Sequence, residues 1–224
     1  MRWMLVALAA CGSSGDVAPD GSVDSAPADA NAAPTAAQLL GKLATCNKVG
    51  GDFATDDGGA ATISICGLPS AVFWKADMDI DCDGKISMFC NSMTDPSFQA
   101  QTSATDSHGN YLDASMLPYV VVPLPSARFD YTAAGLQLGT VIAVIYNNQV
   151  VYGVFGDEGP ANIIGEASHD MAQLLGIDPD PATGGVDSGV TYIAFTGASA
   201  VVAPIEDHAA ATQLGIAKAR ALLQ

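Results

Sequence analysis

Six short runs of β-branched and aromatic residues, each bounded by Gly, Pro, Asn or Asp, constrain this chain more than any other feature. They are Ala61 to Ile65, Ala71 to Lys75, Tyr119 to Val122, Val141 to Tyr146, Val150 to Phe155 and Tyr192 to Phe195. Their composition and length suit strands on a pleated, buried surface. Asn147-Asn148, between two of them, suits a tight hairpin because Asn tolerates positive φ. Helical periodicity is confined to three places. It covers residues 36–48 behind a capping Thr35, and Ala167 to Leu175, with Met171, Leu174 and Leu175 on one face and Gly176 as terminator. The third stretch runs from about His208 to Leu223. Six or more strands with few helices predict a mainly β domain, a barrel or a sandwich with helical additions.

A chain of 224 residues, 49% of them hydrophobic, can bury one substantial core and is too short for two large domains. Its formal net charge is −16, and between Lys85 and Lys218 the only basic residue is Arg128. Nucleic acid is excluded as a partner, because phosphate binding needs Lys and Arg. An acidic surface can serve solubility alone. It also suits a cationic ligand, such as a polymer of glucosamine whose amines are largely protonated in mildly acidic water.

The N-terminus reads as an export signal. Residues 1–11 place Arg2 before a short apolar stretch and end in Leu8-Ala9-Ala10-Cys11, which looks like a bacterial lipobox with Cys11 as the lipid-attachment site. A plain signal peptide with an incidental cysteine is the alternative. Residues 12–35, built of Gly, Ser, Asp, Ala and Pro, bury too little to fold and read as a flexible tether. The domain is therefore expected over 36–224, exported as a cell-surface lipoprotein or secreted, and monomeric. The chain would touch a membrane only through the N-terminal lipid. Four cysteines remain in the domain: Cys46, Cys66, Cys82 and Cys90. An even count in an exported domain favours two disulfides, with three pairings open, and proximity in sequence favours Cys46 with Cys66 and Cys82 with Cys90. Zinc is disfavoured, since no short Cys-x-x-Cys occurs and the histidines are scattered at 108, 169 and 208.

Two groups of acids can carry chemistry. Between a strand ending at Gly156 and a helix beginning near Ala167, Asp157 and Glu158 fall in a Gly/Pro loop and Glu166 lies at the helix mouth. Turn formation and helix-dipole complementation account for these residues without any activity. However, Gly156, Gly159 and Gly165 would let backbone or ligand approach the acids closely. Asp157 and Glu166 thus permit the two-carboxylate arrangement that glycoside hydrolysis requires. The second group is Asp77, Asp79, Asp81 and Asp83. Asp79-x-Asp81-x-Asp83-Gly84 with Ile86 matches the start of a calcium loop, but its twelfth position is Cys90 rather than Glu. On a strand the four acids would share a face and repel one another unless a substrate amine, calcium, or a lysine such as Lys75 or Lys85 met them. Substrate binding is the preferred reading, and no metal or other cofactor is expected. Tyr119, Tyr152 and Trp74 could stack on sugar rings or simply fill the core. His169 could contact substrate or face solvent, and His108 and His208 read as surface residues.

Five strings in collinear order carry a resemblance. Lys75 to Gly84, Gln101-Thr102-Ser103, Leu112 to Pro123, Val151 to Asp157 and Ile163 to Ser168, followed by Ser188 to Ile193, resemble glycoside hydrolase family 75, the fungal-type endo-chitosanases. The resemblance implies endo-hydrolysis of β-1,4 bonds in chitosan with inversion, Asp157 and Glu166 being the essential acids. The strand, the Asp-bearing loop and the acid-led helix also resemble a repeat of double-psi β-barrels, which implies a six-stranded barrel with a few peripheral helices and Glu166 as general acid. Glu158 departs from the small or polar residue usual after the family's Asp, and a second carboxylate there would raise the pKa of Asp157. A non-catalytic, lipid-tethered barrel that binds polysaccharide or cell wall is the alternative function.

Overall fold

The computed structural model describes residues 32–224; the expected signal, the expected lipid-attachment residue Cys11 and most of the expected tether lie outside the described residues. Eight strands form one sheet: β1 (Asn47–Phe53), β2 (Ile63–Leu68), β3 (Ala71–Asp81), β4 (Tyr119–Pro123), β5 (Val141–Tyr146), β6 (Gln149–Gly159), β7 (Glu166–Ser168) and β8 (Val186–Phe195). Their order is β1-β2-β3-β7-β4-β6-β5-β8, and β8 pairs back onto β3. Strands β3, β7, β4, β6, β5 and β8 therefore close a six-stranded barrel, while β1 and β2 extend the sheet beside the first half of β3. β3 with β7 and β4 with β6 run parallel; the remaining pairs are antiparallel. Closure leaves the six barrel strands without a free edge.

The strand runs read as continuous apolar stretches because both faces are covered. β4 is buried at all five positions and β5 at five of six. Alternate residues feed two cores. One holds Phe73, Tyr119, Val121, Ala143, Val154 and Ile193 and receives helix α3 (His208–Leu223) through Ala211 and Ala219. The other holds Trp74, Met78, Val120, Ile142, Phe155 and Tyr192 and receives helix α2 (His169–Leu175) through Met171, Ala172 and Leu175. The Asn147-Asn148 turn joins β5 to β6, both residues at positive φ (44° and 65°), so the hairpin expected there forms.

Three boundaries differ from the sequence expectation. Helix α1 spans only Ala36–Gly41, under a capping box of Thr35 and Gln38, because Cys46 is drawn toward β2 by its disulfide to Cys66 and the chain must turn into β1. β6 does not end at Gly156. Main-chain pairing with β4 carries it to Gly159, past a register shift between Val120 and Val121, so Asp157 and Glu158 are strand residues rather than loop residues. Glu166 likewise opens β7 instead of a helix. The helix begins three residues later, where Ser168 accepts the Met171 N–H as cap, and Gly176 ends it in the left-handed conformation. The second disulfide joins Cys82 to Cys90. Among the described residues, no helix is long and apolar enough to cross a membrane.

Candidate active site

The strand registers bring the sequence-distant acids into one row. Val121 of β4 pairs with Asp157 on β6 to one side and with Glu166 on β7 to the other, and Glu166 pairs in turn with Asp79 on β3. Asp157 and Glu166 are thus two strands apart. At a strand spacing of about 4.8 Å their backbones are separated by roughly 10 Å, with only Val121 between them. A Cβ on Gly159 would meet Val121 Cγ1 at 2.9 Å and Glu166 Oε2 at 3.5 Å, so the missing side chain leaves room for the Glu166 carboxylate above the sheet. Gly165, at φ +121°, is needed for a different reason: a Cβ there would fall 1.9 Å from Asp77 Oδ1.

Two hollows adjoin this row and share Asp83 and Gln99 as a common wall. The larger, about 440 Å³, is lined by Glu166 and by Asp56, Asp57, Asp79, Asp81, Asp83 and Asp95, with no basic residue. The smaller, about 310 Å³, is lined by Asp157, Glu158, Ser103, Thr102, Gln101 and Tyr111 besides the shared pair. Asp157 and Glu166 therefore open on adjoining parts of one groove.

Their surroundings differ. Asp157 is buried, and its Oδ1 accepts three hydrogen bonds, from Ser103 N (2.7 Å), Ser103 Oγ (2.7 Å) and Glu158 N (2.8 Å). Burial raises its pKa, but those donors oppose the rise by favouring the carboxylate; Glu158 adds a smaller upward push. The Glu158 carboxylate itself accepts the Tyr131 hydroxyl at 2.7 Å. Glu166 faces other carboxylates. Burial first, then the charges of Asp79, Asp83, Asp157 and Asp95, push it up to about 7. Asp81 is buried deeper, and desolvation followed by the charge of Glu166 lifts it well above the ordinary carboxylate range. Asp83 rises to about 6, mainly by burial, against the pull of the Gln99 N–H that it accepts at 2.6 Å. Glu166 is thus poised to hold a proton near neutrality, Asp81 is shifted in the same direction, and the three donors around Asp157 favour its anion.

Residues 78–221 match the family model of the fungal chitosanases of glycosyl hydrolase group 75. This chain belongs to that family. An endo-chitosanase of Aspergillus oryzae (strain ATCC 42149 / RIB 40) is 34% identical over 160 residues, covering 62% of this chain and 65% of the relative. Endo-chitosanase B of Aspergillus oryzae is 36% identical over 134 residues, 56% of each chain. Endo-chitosanase C is 31% identical over 189 residues, covering 82% of this chain and 44% of the relative. This group 75 chain thus spans less than two thirds of the length of these relatives. Among solved structures, the Streptomyces papain inhibitor (SPI) aligns with 58% of this chain and 99% of its own, at 15% identity and a TM-score of 0.33, a likeness too low to bear on fold or function.

Of the group 75 chain's sequence-nominated residues, Asp157, Glu166, Asp79, Asp81 and Asp83 meet along the groove. The acid run does not form a calcium loop. It occupies β3 as far as Asp81, and it divides, with carboxylate oxygens of Asp77 and Asp79 within 4.8 Å of one from Asp56, and those of Asp81 and Asp83 within 4.8 Å of one from Asp157. Asp77 sits at a bulge in the β3–β8 pairing, turned under Gly165. Its Oδ1 is buried without a hydrogen-bond partner, and burial, then Asp79, raises it to about 7. A neutral carboxylic acid is the form such a site tolerates.

Four nominated contacts go elsewhere. Tyr119 is fully buried and donates its hydroxyl to the Asp83 carbonyl, so it supports the groove wall and has no face for a sugar. Tyr152 packs under α3 against Gly215. His169 is 5% exposed, stacks near Phe89 and lines a separate hollow with Gln173, Asp178 and Asp180. Trp74 is a core residue stacked on Tyr192. Sequence reasoning missed the roles of Ser103, Asp56, Asp95 and Tyr111. Ser103 alone carried a signal, as a hydroxyl inside one of the family strings.

Proposed function

We propose that this chain is an exported endo-chitosanase that cleaves β-1,4 bonds in chitosan with inversion, Glu166 acting as general acid and Asp157 as general base. The observation that carries this reading is the placement of the two carboxylates two strands apart across Val121, in opposite environments and on adjoining parts of one groove. Inversion needs carboxyl groups about 6.5–9.5 Å apart, leaving room for a water between base and sugar. A backbone separation of roughly 10 Å is compatible with that range. In the reaction, Asp157 takes a proton from water as the water oxygen bonds to the anomeric carbon. The bond from that carbon to the bridging oxygen breaks, and the oxygen receives the Glu166 proton. Glu166, raised to about 7, still carries that proton in mildly acidic water, where the substrate amines are charged. The acid-lined hollow supplies the counter-charge for those amines, led by the exposed Asp56, Asp57 and Asp79, with the more buried Asp81 and Asp83 along its wall. We assign Asp77 a supporting part beneath Gly165.

Family membership and the names of the Aspergillus relatives support chitosan as substrate. The two disulfides support an oxidising, exported location. The lipobox-like Leu8-Ala9-Ala10-Cys11 supports a lipid anchor followed by a tether to residue 35 and a domain over 36–224. The test is release of oligosaccharides from chitosan by wild type, Asp157→Asn and Glu166→Gln, with the anomer of the first product read by NMR. The expected result is an α-anomer from wild type and a loss of more than a hundredfold in both variants. An inert wild type, a β-anomer, or full rate in either variant overturns the reading.

A further inference from the structure

Asp77 lines neither hollow of the groove, yet the fold builds a seat for its carboxylate. The residue is 4% exposed, and Gly165 makes room for it, since a Cβ there would fall 1.9 Å from Oδ1. The main chain around the seat is tied down. The Asp77 carbonyl accepts the Tyr192 hydroxyl at 2.8 Å, and the Gly165 carbonyl accepts the Asp79 N–H at 2.8 Å. Oδ1 is nevertheless left without a hydrogen-bond partner. Protonation would remove the charge but give that oxygen no partner, so the cost of a buried, unsatisfied polar atom stands in either form.

The same carboxylate points at two others. Oxygens of Asp56, Asp77 and Asp79 all lie within 4.8 Å of one another. Asp187 adds a fourth negative charge that acts on both Asp77 and Asp79. Among the described residues, no basic side chain forms an ion pair with any of the three. Calcium holds its oxygens at about 2.3–2.6 Å, so two of its ligands stand at most about 5 Å apart, and the cluster has that size. A sugar amine is the competing occupant. It carries one charge, which leaves two of three ionised carboxylates uncompensated, and its ring must stay in a groove that Asp77 does not line. A bare divalent ion can reach the buried oxygen and carries twice the charge.

We propose that Asp56, Asp77 and Asp79 form a calcium site, with water completing the shell. It is not the loop suggested by the pattern from Asp79 to Asp83, because Asp81 and Asp83 turn to Asp157 instead, and the third ligand comes from the connection between β1 and β2. The ion ties that connection to β3. Ala54, two residues before Asp56, accepts the Ile164 N–H and donates its own to the Asn162 carbonyl, both at 3.0 Å, so the chain leading into Glu166 belongs to the same braced unit. Asp56 and Asp79 also line the acid-rich hollow; with calcium on them, Asp57, Asp81, Asp83 and Asp95 remain to face the substrate amines.

The test strips the purified chain with EDTA and titrates it with calcium, reading binding by isothermal titration calorimetry and Tm by scanning calorimetry. One ion per chain is expected, with a Kd of about 10⁻⁴ M, in the range of extracellular modules. At about a hundredfold excess of calcium over Kd, Tm should rise by roughly 5 to 10 °C. Magnesium at the same concentration, equal in charge but reluctant to shed water, should give less than about a third of that rise. Asp77→Asn and Asp56→Asn should each weaken binding roughly tenfold or more, and Asp57→Asn, an exposed neighbour outside the cluster, less than about twofold. Asp56 is exposed, so Asp56→Asn keeps the fold and carries the test whatever Asp77→Asn does to the core. No saturable binding, an equal rise with magnesium, or equal losses from Asp57→Asn and Asp56→Asn would mean diffuse screening of an acidic surface and would overturn the inference. So would a calcium affinity that survives Asp56→Asn and falls with Asp157→Asn, or a Tm rise reproduced by the same concentration of glucosamine. Each readout is independent of chitosan cleavage, so the calcium site and the hydrolase reading stand or fall separately.

Discussion

Replacing Asp79 with Asn tests the electrostatic reasoning most directly. Asp79 is the register partner of Glu166 across the parallel β3–β7 pair, and its charge is the largest carboxylate contribution to the raised pKa of Glu166, after burial. At a carboxylate separation of about 6 Å, the repulsion is about 2.8 kcal/mol at an effective dielectric of 20 and about 0.7 kcal/mol at that of water. Asp79 is exposed, which places the pair nearer the second figure. Each pKa unit corresponds to about 1.4 kcal/mol, so Glu166 in the variant should titrate roughly 0.5 to 2 units lower than its wild-type value of about 7. If Glu166 must be protonated to act, the alkaline limb of the kcat/KM profile reports that titration and moves acid-ward by the same amount. Asp79 also lines the substrate hollow, so KM is expected to rise; the position of the limb separates the two effects. A limb that stays in place while activity falls would refute the assignment of the proton to Glu166.

Further expectations concern stability and the base. Ser103→Ala removes the Oγ donor to Asp157 and leaves the backbone N–H, so the acid limb should move upward with a stability loss of about 1 kcal/mol, read by denaturant titration. Folding raises Asp77 and Glu166 to about 7 and Asp83 to about 6 from ordinary carboxylate values, so the native state binds more protons than the unfolded one in that window. Stability from these groups is then fully present below about pH 4 and lost as pH rises through about 6 to 7, and Tm should be higher at pH 5 than at pH 8. Opening Cys82–Cys90 by paired Ala substitution releases a short loop worth about 2.5 kcal/mol by chain entropy. A Tm unchanged by that substitution would show the loop to be held by its other contacts.

Much of this molecule was legible in its sequence because the relevant physics is local. The Asn147-Asn148 hairpin follows from backbone sterics, and both disulfides pair cysteines close in sequence. What local pattern missed is where elements end, since that depends on partners far along the chain. Gly156 is followed by Asp-Glu-Gly-Pro, which reads as a turn, yet β4 lies alongside and continues the main-chain pairing to Gly159. Residues 166–168 look like a helix start, but two flanking strands recruit them. The aromatic candidates failed for a similar reason. Tyr119 and Tyr152 have the same chemistry as Tyr111, and only the tertiary fold decides which ring faces the groove.

The row of acids also makes substrate charge and catalytic protonation interdependent. Burial and four carboxylates sustain the raised pKa of Glu166. A glucosamine amine entering the same hollow offsets those charges, so the bound complex should hold its Glu166 proton less tightly than the free enzyme. The alkaline limb of kcat, which reports the complex, is therefore expected at lower pH than that of kcat/KM, which reports the free enzyme. If the kcat and kcat/KM limbs coincided, bound amines would not reach the field around Glu166, and the counter-charge role argued from the lining of this hollow would have to be abandoned.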